Sequence, residues 1–131
     1  MSGLATIRVL VVDDDPLASE LVSRALTAER FEVAVASSAE AIAGVARELQ
    51  PQAVLVDVNM PGTTSGGAVQ VARSAVPPDT RIFLFSSDDE GVLRSLARRV
   101  KADGWLSKSM AVVDLGARIR KLMVNGTGQL P

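Results

Sequence analysis

The chain has 131 residues, 47% of them apolar, with 14 Lys and Arg against 15 Asp and Glu and a net charge of −1. That is enough for one domain with its own core, whereas the absence of Cys and His excludes a Ser-His-Asp triad, a cysteine nucleophile and an ordinary zinc site. The near-neutral charge argues against a general nucleic-acid or membrane-surface binder, and the longest early apolar run, Val9 to Val12, is far too short to span a bilayer.

Ile7 to Val12 reads as a buried strand that stops at Asp13-Asp14-Asp15-Pro16. Pro16 suits the first turn of a helix and Asp15 its cap, after which Leu17, Leu21, Val22, Ala25 and Leu26 recur at helical spacing. Phe31, Val33 and Val35 alternate as in a second strand. Ser37-Ser38-Ala39-Glu40 has the form of a capping box, Ile42, Val45 and Leu49 follow on one helix face, and Pro51 ends it. Ala53 to Val56 is a continuous apolar run closing on Asp57, as expected of a strand covered on both faces.

Pro61 to Gly67 reads as a loop by composition, followed by a weak helix with Val69 and Ala72 and then Pro77-Pro78. Ile82 to Phe85 is a fourth strand ending at Ser86-Ser87. Asp88 is the expected cap of the next helix, whose apolar face carries Val92, Leu93, Leu96 and Val100. Gly104-Trp105-Leu106 is a short fifth strand, and Val112, Leu115, Ile119 and Leu122 mark the last helix. Five βα units with no internal boundary predict an α/β domain over 1–124, a doubly wound five-stranded parallel sheet, with 125–131 as a flexible tail or linker.

In such sheets the ligand site lies beyond the carboxyl ends of the strands. Asp13 and Asp14 follow the first strand, Asp57 closes the third, Ser86 follows the fourth and Lys108 the fifth. Close carboxylates raise one another's pKa unless a cation intervenes, and Mg²⁺ suits such an oxygen donor set shared with a phosphate. Each of these residues taken alone has an ordinary reading: a helix cap, a turn residue, a solvated lysine, a packing tryptophan. Their joint placement at successive strand ends is what points to phosphoryl chemistry.

Together these residues resemble the receiver domains of two-component response regulators, over roughly 7–124. Val9-Leu10-Val11-Val12-Asp13-Asp14 looks like the family's first strand and acidic pair, Asp57-Val58-Asn59-Met60-Pro61 like its phosphorylation motif, and Ser86, Trp105 and Lys108 like its switch hydroxyl, switch aromatic and lysine. The resemblance implies a flavodoxin-like sheet of order 2-1-3-4-5. It implies that Asp57 accepts a phosphoryl group from a sensor histidine kinase or phosphotransfer protein. Asp14, Asp57 and the Asn59 carbonyl would hold Mg²⁺ or Mn²⁺ directly, with Asp13 acting through water. Lys108 would pair with the phosphoryl group, Ser86 would swing toward it, and Trp105 would then turn inward. Asn59 and Asp88 stand where the family tunes dephosphorylation.

The implied output face is the fourth helix, fifth strand and fifth helix, in a cytoplasmic monomer or weak dimer without direct nucleic-acid contact, membrane insertion or an enzymatic role beyond its own phosphorylation and slow dephosphorylation. Three positions depart from the family: Ser65 for Gly, Ser109 for a Pro after the lysine, and Trp105 for a smaller aromatic. They favour, as an alternative, a phosphorylation-independent interaction module. A haloacid-dehalogenase-like phosphatase built on Asp13 and Asp15 is a further alternative, against which the chain's shortness and the lack of a cap domain speak. So is an FMN-binding flavodoxin-like protein, for whose phosphate the acidic site is wrong.

Overall fold

A computed structural model describes residues 6–124. Five parallel strands, β1 (Ile7–Val12), β2 (Phe31–Ala36), β3 (Ala53–Asp57), β4 (Arg81–Ser86) and β5 (Gly104–Ser107), form one sheet in the order β2-β1-β3-β4-β5. The connecting helices are α1 (Pro16–Thr27), α2 (Ala39–Leu49), α3 (Ser65–Ala75), α4 (Glu90–Val100) and α5 (Leu115–Val124). The expected fold is the one observed. The tail expected over 125–131 lies outside the described residues. No helix among the described residues is long and apolar enough to cross a membrane.

Side chains alternate along a strand, so each strand feeds both faces of the sheet. Val9, Val11, Leu55, Phe83 and Leu106 join Val22 and Leu26 of α1 and Ile119 of α5 in one core. Leu10, Val54, Val56, Leu84 and Trp105 join Ile42, Val69 and Leu93 from α2, α3 and α4 in the other. The same alternation places Asp13, Asp57, Phe85 and Lys108 in phase with Val11, Leu55, Phe83 and Leu106. Ser86 and Trp105 fall in the opposite phase, toward α4.

Several local expectations are corrected. Ser38, not Ser37, caps α2 by accepting from the Ala41 N–H. Glu40 therefore sits one place too early for a reciprocal capping box. The glycines of 61–67 do not all belong to a loop: α3 begins at Ser65, with Thr64 accepting from the Gly67 N–H at 2.9 Å. The left-handed residue of that connection is Gly62, φ 79°, so Ser65 is not asked for a glycine conformation. Asp89 rather than Asp88 caps α4. Val112 lies in a short 3₁₀ turn before α5, and Leu17, Leu21 and Val92, although at helical spacing, are exposed.

The start of β4 is tied to the start of β3 by the buried Thr80, whose hydroxyl donates to the Pro51 carbonyl at 2.7 Å. Thr80→Val keeps the shape and leaves that carbonyl without its donor. A loss of about 1–3 kcal/mol is expected in urea unfolding; an unchanged midpoint and slope would show that the bond contributes nothing.

Candidate functional site

The site forms where β1, β3 and β5 end. Asp13 continues the β1 ladder, its N–H donating to the Ala36 carbonyl, and Lys108 continues β5, its N–H donating to the Ser86 carbonyl. These backbone bonds fix where the two side chains leave the sheet. Carboxylate oxygens of Asp13, Asp14 and Asp57 all lie within 4.8 Å of one another. Asp13 and Asp57 are buried, at 1% and 7% exposure, while Asp14 faces solvent.

Lys108 Nζ donates to Asp13 Oδ2 at 3.1 Å and stands 3.5 Å from Asp57 Oδ1, over the Phe85 ring. Asp13 is thus the closer anionic partner of Lys108, a pairing that strand-end spacing does not reveal. The backbone N–H of Asn59 donates to Asp57 Oδ1 at 3.1 Å. Asp15 accepts from the Leu17 N–H and serves as the α1 cap, which speaks against an Asp13-x-Asp15 catalytic pair.

Burial raises the Asp57 pKa, and the Asp13 carboxylate adds to this, outweighing the Asn59 N–H and Lys108, which lower it. For Lys108 burial acts downward but is outweighed by the hydrogen bond and charge of Asp13 and the charge of Asp57, so its pKa is raised. Two buried carboxylates that share one ammonium, with the exposed Asp14 beside them, form a cluster of hard oxygen donors of the kind that divalent cations occupy.

Ser86 and Trp105 are not part of this cluster. The Ser86 hydroxyl is turned to Asp88, and Trp105 is 7% exposed, packed in the α2–α4 core with the Arg94 guanidinium 5.3 Å above its ring. The Lys108–Ser109 bond is trans, as are all described peptide bonds, and Ser109 is held in a turn by its N–H to Ser107 Oγ.

Residues 9–120 match the response regulator receiver domain family. The chain is 34% identical over 123 residues to the transcriptional regulatory protein PrrA of Mycobacterium tuberculosis, covering 93% of this chain and 52% of that protein. To the DNA-binding response regulator MtrA of Mycolicibacterium smegmatis it is 33% identical over 115 residues, covering 86% and 49%. The chain therefore spans about half the length of these curated relatives. The solved structure of the chemotaxis protein CheY4 of Vibrio cholerae superposes with a TM-score of 0.79 at 26% identity, covering 90% of this chain and 99% of that one. Fold, strand-end chemistry and family match agree, and the chain belongs to the receiver domains of response regulators.

Proposed function

We propose that this receiver accepts a phosphoryl group on Asp57 and signals through a change of its surface. The observation that carries the reading is the convergence of Asp13, Asp14 and Asp57 beside Lys108 at the sheet edge. A carboxylate oxygen of Asp57 attacks the phosphorus of a phosphohistidine. The P–N bond breaks with its electron pair going to the imidazole, leaving an acyl phosphate. Phosphoryl transfer needs positioning and charge neutralisation more than proton shuttling, and a site without histidine is equipped for that. Lys108 neutralises one part of the developing charge. Mg²⁺ or Mn²⁺, held by Asp13, Asp14, Asp57 and the Asn59 carbonyl, would supply the remaining positive charge.

The phosphodonor is a sensor histidine kinase or phosphotransfer protein. An apolar groove lined by Leu21, Val22, Phe85, Met110 and Leu115 reaches Lys108, and Leu17 and Val113 stand exposed nearby. Exposed apolar side chains such as Leu17, Leu21 and Val113 serve association, and the groove beside them reaches Lys108. Output passes through α4, β5 and α5, where Trp105 lies beneath Arg94. The phosphoryl group adds close to two negative charges and three acceptor oxygens, which draws Ser86 toward it and away from Asp88, on the face of the sheet where Trp105 is already packed inward. The DNA binding named for MtrA is not carried over, because the match covers about half of that protein. A cytoplasmic location follows from this partnership.

The test is a mass gain of one phosphoryl group on incubation with acetyl phosphate and Mg²⁺, absent with a chelator. An unmodified protein under both conditions overturns the reading. Cation binding requires an ionised Asp57 and so releases protons when the raised carboxyl is still partly protonated. Mg²⁺ affinity measured by calorimetry is expected to fall on mild acidification, starting at a higher pH than ordinary aspartates would require. A pH-independent affinity across the range from neutral to mildly acidic would contradict it.

A further inference from the structure

Ser86 is buried and its hydroxyl has a single proton to give. Ser86 Oγ donates that proton to Asp88 Oδ2 at 2.9 Å, while the Asp88 N–H donates back to Ser86 Oγ at 3.1 Å. Asp88 has no helix to cap, since Asp89 accepts from the Val92 N–H at the start of α4. The Asp88 carboxylate is an acceptor only, and its bond to the hydroxyl is charge-assisted, hence stronger than one to a neutral partner. A phosphoryl group on Asp57 would need the same Ser86 proton.

Resting on the phosphoacceptor reading above, we infer that Asp88 is a positioning residue that latches the Ser86 hydroxyl away from Asp57 in the unphosphorylated state. The phosphoryl oxygens then compete with a carboxylate, not with water, for the switch hydroxyl. Ser86 lies on the α4 side of the sheet, in phase with Leu84, which is in register with Trp105. The latch therefore acts at the strand end that adjoins the aromatic position, and it sets how much phosphoryl binding is needed before the surface responds. This differs from tuning hydrolysis by contact with an attacking water: the carboxylate acts through another side chain.

The experiment compares wild type, Asp88→Ala, Asp88→Asn, Ser86→Ala and the Ser86→Ala/Asp88→Ala double variant. Each is titrated with beryllofluoride in excess Mg²⁺, followed by backbone amide shifts and by the fluorescence of Trp105, the single tryptophan. Asp88→Ala should tighten beryllofluoride binding about tenfold, with Asp88→Asn intermediate. In the Ser86→Ala background removal of Asp88 should change nothing. Unchanged binding in Asp88→Ala overturns the latch. Equal tightening with and without Ser86 also overturns it, because the effect is then the carboxylate's charge alone. A merely structural Asp88 would lower the melting temperature of Asp88→Ala without tightening binding, again against the latch. No response from wild type itself would overturn the phosphoacceptor reading and the latch together, so the two failures are distinguishable.

Discussion

Asp57→Asn is expected to abolish phosphoryl incorporation from acetyl phosphate while raising the stability of the metal-free protein. The first effect is chemical. An amide oxygen is a far weaker nucleophile than a carboxylate, and no other carboxylate shares the position of Asp57: Asp13 is bound to Lys108 and the Asp15 N–H, and Asp14 is exposed. The second effect is electrostatic. Burial, reinforced by Asp13, raises the Asp57 pKa above the ordinary value against the opposing Asn59 N–H and Lys108. A carboxyl raised on folding contributes stability that is complete below its unfolded pKa and lost as pH rises through the folded one. At neutral pH the ionised group therefore works against the metal-free fold. Asn keeps an oxygen for the Asn59 N–H and removes the charge. A chelated sample of Asp57→Asn should unfold at higher urea than wild type, and added Mg²⁺ should narrow the difference. Retained phosphorylation in Asp57→Asn would move the acceptor elsewhere; a variant less stable than wild type in chelator would show that burial is not what dominates at Asp57.

The fold was legible because the two sheet faces impose a simple pattern. Ala53 to Val56 is apolar without interruption since neighbours cover it above and below, and such a run reads correctly from composition alone. Helix faces were less legible. Leu17 and Leu21 have the spacing of core residues, yet the face turned inward carries Ser19, Val22 and Leu26. Periodicity marks a stripe without saying what lies opposite it. The glycines near Ser65 argued for a loop, but a Thr64 cap and burial of Ala68, Val69 and Ala72 hold that segment helical against its propensity. The strand-end residues of the site were all visible in the sequence. Their pairings were not: Lys108 and Asp13 are 95 residues apart and meet only after the crossovers set which residues leave the sheet in the same phase. Asp88 and Asp89 are chemically alike, and only the backbone decides which one caps α4 and which one holds Ser86.

Lys108→Ala should separate two properties that a simple view of the site would expect to fall together, namely cation binding and phosphorylation. In the metal-free protein Lys108 is the ammonium between Asp13 and Asp57. Its removal leaves two buried carboxylates facing each other, and a buried charge that loses its partner costs several kcal/mol. Lys108 is itself partly exposed, so water screens some of this, and a loss of about 2 kcal/mol in chelator is expected. Its raised pKa gives the same sign: the stability it contributes is present below the ordinary lysine range and lost only as pH rises through the higher folded value. Mg²⁺ and Lys108 compete for the same carboxylate oxygens, so Lys108→Ala should bind Mg²⁺ more tightly and recover more stability from it than wild type does. Phosphorylation should nevertheless slow by about 100-fold, because charge developing on the phosphoryl oxygens loses a preorganised donor. Urea unfolding with and without Mg²⁺, calorimetric titration and the rate of mass gain from acetyl phosphate read the three effects separately. Weaker Mg²⁺ binding in the variant would mean that Lys108 organises the carboxylates for the cation rather than competing with it, and a phosphorylation rate equal to wild type would remove Lys108 from the chemistry.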